Sequence, residues 1–196
     1  MATRVVEYVD IHAQRDEVFQ LILNLTRRMQ LSPLWGLALI DGISADYPNH
    51  GIHYNVTLVQ GDGSQYSTVI TENLPDRKFA YSLNVPRATR VAWLLQEAGG
   101  KTRLVYQEDF LITEGEEEEF TQAVRKVVRD WLKNIKNYTE LRGSMFGRII
   151  RLGLDGFFLK LRKDQRQVVA TLLFLQLTGF LSFVMAALAL GIAGLF

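Results

Sequence analysis

From Gln167 to Phe196 the chain runs for 30 residues without an ionisable side chain, and most of that run is Leu, Val, Ala and Phe. A helix of this composition escapes water either inside a protein core or inside a bilayer. Core helices are normally shorter and flanked by chain on both sides, whereas this run closes the sequence. A bilayer core of about 30 Å takes about 20 helical residues, so the run suffices to cross once and not twice. The expectation is a single transmembrane helix over 167–196, preceded by everything that must fold in water.

The segment just before it, 142–166, carries seven basic side chains (Arg142, Arg148, Arg151, Lys160, Arg162, Lys163 and Arg166) against Asp155 and Asp164, a net +5. Basic residues beside a span stay on the cytoplasmic side, and no secretory signal is visible in Met1 to Glu7. A tail-anchored, single-pass arrangement with the N-terminal domain in the cytoplasm is therefore expected. Within the linker, Phe146, Ile149, Ile150, Phe157 and Leu161 recur at helical spacing, while Arg148, Arg151, Asp155 and Arg162 fall on another face. That pattern suits an amphipathic interfacial helix, with Arg148, Arg151, Arg162 and Lys163 meeting the membrane surface. Gly143, Gly147, Gly153 and Gly156 weaken it and favour its breaking into pieces.

Composition excludes several chemistries for the remaining 1–141. With no cysteine there is no disulfide, thiolate nucleophile or iron–sulfur site, and three histidines leave few ways to hold a metal. No metal and no cofactor is expected. A net charge of +1 gives no cationic surface for a phosphate backbone, so nucleic acid is not an expected partner.

Arg4 to Ile11 reads as a strand and Ala13 to Leu25 as a helix with Val18, Leu21, Ile22 and Leu25 on one face. Six strands then follow, at Leu37 to Ile43, Gly51 to Gln60, Ser64 to Leu74, Lys78 to Val85, Thr89 to Ala98 and Lys101 to Ile112. Short turn segments such as Pro75-Asp76-Arg77 and Gly99-Gly100 separate them, which implies an antiparallel meander. Thr113 with Glu116 fits a capping box, and the acidic run Glu116 to Glu119 suits a helix N-terminus. The helix that follows carries an apolar stripe of Phe120, Val124, Val127, Val128, Trp131, Ile135 and Tyr138. Only the concave face of the sheet is large enough to cover it.

This order resembles the helix-grip arrangement of the START-like, Bet v 1-like (SRPBCC, polyketide cyclase-like) superfamily. VDIHAQRDEVFQLI at Val9 to Ile22 resembles that superfamily's opening, TENLPDRKFAYSL at Thr71 to Leu83 its central hairpin, and AWLLQEAGGKTRLVYQEDF at Ala92 to Phe110 its last hairpin. The resemblance spans about residues 3–140 and implies an α+β fold, an antiparallel sheet wrapped around a long C-terminal helix. It also implies a cavity between sheet and helix for a lipid, isoprenoid, polyketide or similar apolar molecule.

Alternation along the strands places Tyr54, Tyr81, Trp93 and Tyr106 among aromatic stripes that, with Phe120 and Trp131, would line such a cavity. The same rings would serve equally as an ordinary packed core. Glu108, in phase with Tyr106 and Phe110, and Glu72, in phase with Thr68 and Ile70, are the carboxylates with a phase that allows an inward turn, where desolvation would favour their acid forms. The alternative for each is a bulge toward water or an arginine partner. His12, His50 and His53 form no three-ligand set, and no catalytic constellation emerges. Three functions remain open: a membrane-tethered binding or transfer protein for an apolar small molecule of the lipid, isoprenoid, quinone or pigment class; an accessory subunit docking to other membrane proteins; and a cyclase- or hydratase-type enzyme.

Overall fold

Two stretches rich in β-forming residues, Val91 to Leu95 and Leu104 to Tyr106, joined by the positive-φ pair Gly99 and Gly100, build a long hairpin of β6 (Thr89–Ala98) and β7 (Lys101–Leu111). The computed structural model describes residues 2–34, 38–58, 65–84, 89–111, 117–143, 145–161 and 163–193, some side chains inside those ranges excepted. Around the hairpin lie β1 (Ala2–Ile11), β2 (Ala38–Asp41), β3 (His53–Leu58), β4 (Gln65–Leu74) and β5 (Lys78–Leu83). All seven form one antiparallel sheet in the order β1-β7-β6-β5-β4-β3-β2.

The register lays two rows of side chains across the concave face. One row is Phe79, Trp93 and Tyr106; the other is Ile70, Tyr81, Val91, Glu108 and Val5. Against them pack α1 (Arg15–Leu23), through Val18, Phe19 and Ile22, and α3 (Glu117–Glu140), through Val128, Trp131, Leu132, Ile135 and Tyr138. This is the expected α+β helix grip.

Several boundaries differ from the sequence expectation. The helix expected over Ala13 to Leu25 is two helices, because Asn24 both closes α1, its N–H donating to Gln20 O, and opens α2 (Leu25–Gln30), its Oδ1 accepting from Arg27 N–H at 2.9 Å. A bulge between Ile70 and Glu72 shifts the register of β4, so Glu72 does not continue the inward phase of Thr68 and Ile70. It pairs with Lys78 Nζ at 2.5 Å instead. The cap expected at Thr113 lies outside the described residues.

After α3 the linker is broken: a 3-10 turn at Leu141–Gly143, α4 (Met145–Gly156), a second 3-10 turn at Phe158–Lys160, then α5 (Lys163–Ala193). Helix α5 is 31 residues long, and most of its described apolar side chains, among them Leu172, Phe174, Phe180 and Phe183, are exposed. Among the described residues no helix is long and apolar enough to cross a membrane, so the fold by itself does not establish the expected anchor.

Candidate functional site

The interior between sheet and helices is aromatic and contains one charge that the sequence reading missed. The Trp93 ring meets Trp131 at 5.0 Å and Tyr106 at 4.8 Å between centroids, both edge to face. Tyr81 joins them through Phe79 at 5.9 Å, and Tyr54 through Tyr47, whose ring stands 6.0 Å from Tyr54 and 6.4 Å from Phe79. Five of the expected lining residues, Tyr54, Tyr81, Trp93, Tyr106 and Trp131, thus fall in one region. Phe120 does not: it stacks on Phe110 at 5.3 Å in a smaller cluster with Val5.

Into the larger cluster α2 inserts Arg28, 1% exposed. Its guanidinium carbon lies 5.1 Å from the Phe79 ring centroid and 5.2 Å from that of Tyr81. One nitrogen, Nη1, donates to Ile22 O at 2.7 Å, and Nε has no acceptor. The arginine follows Ile22 and Leu25 at three-residue steps, which is the one sequence signal that would have placed it on the inward face. Tyr47 Oη, Thr68 Oγ1 and Trp93 Nε1 are likewise buried; none makes a well-formed hydrogen bond, but Tyr47 lies against Arg28, Thr68 against the Tyr54 hydroxyl and Trp93 against the Tyr81 hydroxyl.

Glu108 is the one expected carboxylate that turns inward. Tyr106 Oη donates to Glu108 Oε2 at 2.8 Å, and burial pushes the Glu108 pKa above its ordinary value against the smaller opposing effect of that hydrogen bond. Burial likewise raises the pKa of Tyr54, Tyr81 and Tyr106, so all three phenols stay protonated at neutral pH.

No described surface depression is lined by these rings. The one of about 710 Å³ lies between α1, the end of α3 and α4, and is lined by charged groups including Glu17, Arg27, Arg142, Arg151 and Asp155. There Asp155 of α4 accepts from Tyr138 Oη at 2.8 Å and pairs with Arg27 at 2.9 Å, while Arg151 stacks 4.2 Å from the Tyr138 centroid. Of the four residues expected at the membrane surface, Arg148 is exposed, whereas Arg151 is turned toward the domain with a side chain only 16% exposed. Arg162 and the Lys163 side chain lie outside the described residues. Among the described residues no group of His, Asp or Glu is arranged to hold a metal.

No family model and no curated protein sequence matches the chain. Solved structures do. DynU16, from the dynemicin biosynthetic locus, is 16% identical with a TM-score of 0.53 over 70% of this chain, which spans about half (47%) of DynU16. Ara h 8.0201 is 19% identical with a TM-score of 0.50, covering 71% of this chain and 98% of its own. The Aha1 dimer from Colwellia psychrerythraea is 12% identical with a TM-score of 0.52, covering 70% of this chain and 96% of its own. At such identities the likeness establishes architecture alone: the domain shares the helix-grip fold of these structures.

Proposed function

We propose that the chain is a membrane-tethered protein that binds or transfers an apolar small molecule of the lipid, isoprenoid, quinone or pigment class. The observation that carries this reading is the orientation of α4. Its polar side, Arg151 and Asp155, is clamped onto Arg27 and Tyr138 of the domain, so Ile149 and Leu152, and Phe157 just past its end, stand away from it at 61%, 73% and 59% exposure. An amphipathic helix with its apolar side outward suits an interfacial position, and Arg148 beside it suits contact with anionic headgroups. The uncharged run then supplies the bilayer anchor. Tethering would hold the grip domain at the surface and raise its effective concentration for a membrane-dissolved ligand.

The edge-to-face packing of Trp93, Tyr106 and Trp131 favours a second reading, in which the domain is a docking subunit of a larger membrane complex. One experiment separates the two. Membranes containing the full chain are washed with alkaline carbonate, the chain is purified in mild nonionic detergent, and proteins and organic extract are identified by mass spectrometry. The expected result is retention through the wash and recovery of one apolar species near stoichiometry. Release by carbonate overturns the tether. An extract without such a species, accompanied by a stoichiometric membrane protein, overturns the binding reading in favour of the docking subunit.

A further inference from the structure

A buried arginine needs a counter-charge, since removing a cation from water costs several kcal/mol unless it is paired and hydrogen-bonded. Among the described residues Arg28 has no carboxylate within ion-pair distance; its neighbours are ring faces and phenols. Glu108 does not fill this role, because its hydrogen bond runs to Tyr106 and burial favours its neutral form. The ring faces of Phe79 and Tyr81 offer a partial substitute, a cation–π contact weaker than an ion pair.

The loosely matched hydrogen-bonding atoms around Arg28 add a second observation. Arg28 Nε and Trp93 Nε1 are donors, while Tyr47 Oη and Thr68 Oγ1 can donate or accept. Buried polar atoms in folded proteins rarely lack partners, so the open Arg28 Nε, among side chains that pair only loosely with one another, marks a place where a polar group is accommodated. The surrounding rings are apolar, so that group belongs to a molecule that is otherwise hydrophobic.

We infer that Arg28 is the recognition residue for the carboxylate end of an apolar acid held in the grip. One positive charge calls for a monoanion; a phosphate dianion would carry surplus charge into the same apolar surroundings. A guanidinium presents two parallel N–H groups to a carboxylate, and Nε is the group left open here. The inference rests on the small-molecule reading above and narrows it from apolar molecules in general to apolar acids.

The test uses the full chain in uncharged maltoside micelles near pH 8, titrated with hexadecanoate or with hexadecanol at equal micellar mole fraction. Binding is read as quenching of tryptophan fluorescence, since Trp93 and Trp131 both border the site. The expected result is at least about tenfold tighter binding of the acid, the step of roughly 1.4 kcal/mol that one hydrogen-bonded charge pair readily supplies. Arg28→Gln should abolish the preference and Arg28→Lys retain part of it. As a readout that needs no folded variant, the wild-type chain is also followed by the NMR signal of Arg28 Nε–H, which should shift with the acid and not with the alcohol. Equal binding of acid and alcohol, or an unmoved Nε–H signal at saturation, overturns the inference and leaves the apolar-ligand reading standing. Binding of neither probe overturns the inference, and an empty organic extract in the purification above then removes the broader reading too.

Discussion

The indole of Trp131 donates to the backbone carbonyl of Arg28 at 2.9 Å, tying the long closing helix to the short helix that carries the buried charge. Both ends of the contact are buried, so Trp131 of α3 adds to the Ile22 carbonyl and the Phe79 and Tyr81 rings in fixing the arginine. Trp131→Phe keeps most of the ring volume and removes the donor, leaving a buried carbonyl unmatched. A loss of about 1–3 kcal/mol is expected, against about 3–5 for Trp131→Ala, which also opens a cavity. Urea unfolding of the full chain in detergent measures both. A Trp131→Phe variant as stable as wild type would show that the carbonyl finds another partner.

Glu108 makes stability depend on pH in a direction opposite to that of a salt-bridged carboxylate. Below the ordinary glutamate value of 4.5 the group is protonated in folded and unfolded chains alike and contributes no slope. Above it the unfolded chain releases the proton while the folded chain retains it, up to the raised native pKa. Stability therefore falls as pH rises through that window. Glu108→Gln still accepts from Tyr106, so its stability should lack this decline and exceed that of wild type at the alkaline end. Unfolding midpoints from about pH 4 to about pH 8 decide the matter, and parallel profiles for the two proteins would count against a buried Glu108.

Features read from local pattern were legible in the sequence. The expected bounds of β6 match the observed ones because its apolar run from Val91 to Leu95 is flanked by polar residues and two glycines force the turn that follows. The stripe from Val128 to Tyr138 identified α3 as the helix held by the sheet. Features depending on distant partners were not legible. Arg28 is buried because Phe79 and Tyr81, some fifty residues away, present their faces to it, and no local pattern announces that. The rotation of α4 is likewise set by Asp155 meeting Arg27 and Tyr138. Periodicity gave its two faces but not which of them the domain would take.

Arg166 fastens the start of α5 to the domain. Its guanidinium donates to Leu161 O at 2.9 Å, Gln30 O at 2.7 Å and Leu159 O at 2.7 Å, and partial burial pushes its pKa below the ordinary arginine value. Arg166→Ala leaves three carbonyls without that donor while touching none of the central rings. The expected outcome is local opening: amide exchange around Leu159 to Leu161 faster by about tenfold or more, with little change in the global unfolding midpoint. Exchange as slow as in wild type would mean that the 3-10 turn holds itself.

The outward face of α4 supplies the most direct test of where the domain sits. Fully burying one large apolar side chain is worth about 1.5–3 kcal/mol, so Ile149, Leu152 and Phe157 together provide several kcal/mol if they enter a bilayer interface and nothing if they stay in water. Because these side chains are exposed, replacing all three by Ser should leave the domain's stability nearly unchanged. A spin label at position 152 of the full chain, reconstituted in vesicles containing anionic lipid, should be more accessible to oxygen than to a water-soluble nickel chelate. The reverse order would place the helix in water. Arg151→Gln offers an internal control, since Arg151 stacks on Tyr138 and pairs with Asp155 instead of facing the lipid. It should loosen α4 from the domain, whereas Arg148→Gln should weaken contact with anionic headgroups by about 1 kcal/mol, less at high salt, and leave α4 in place.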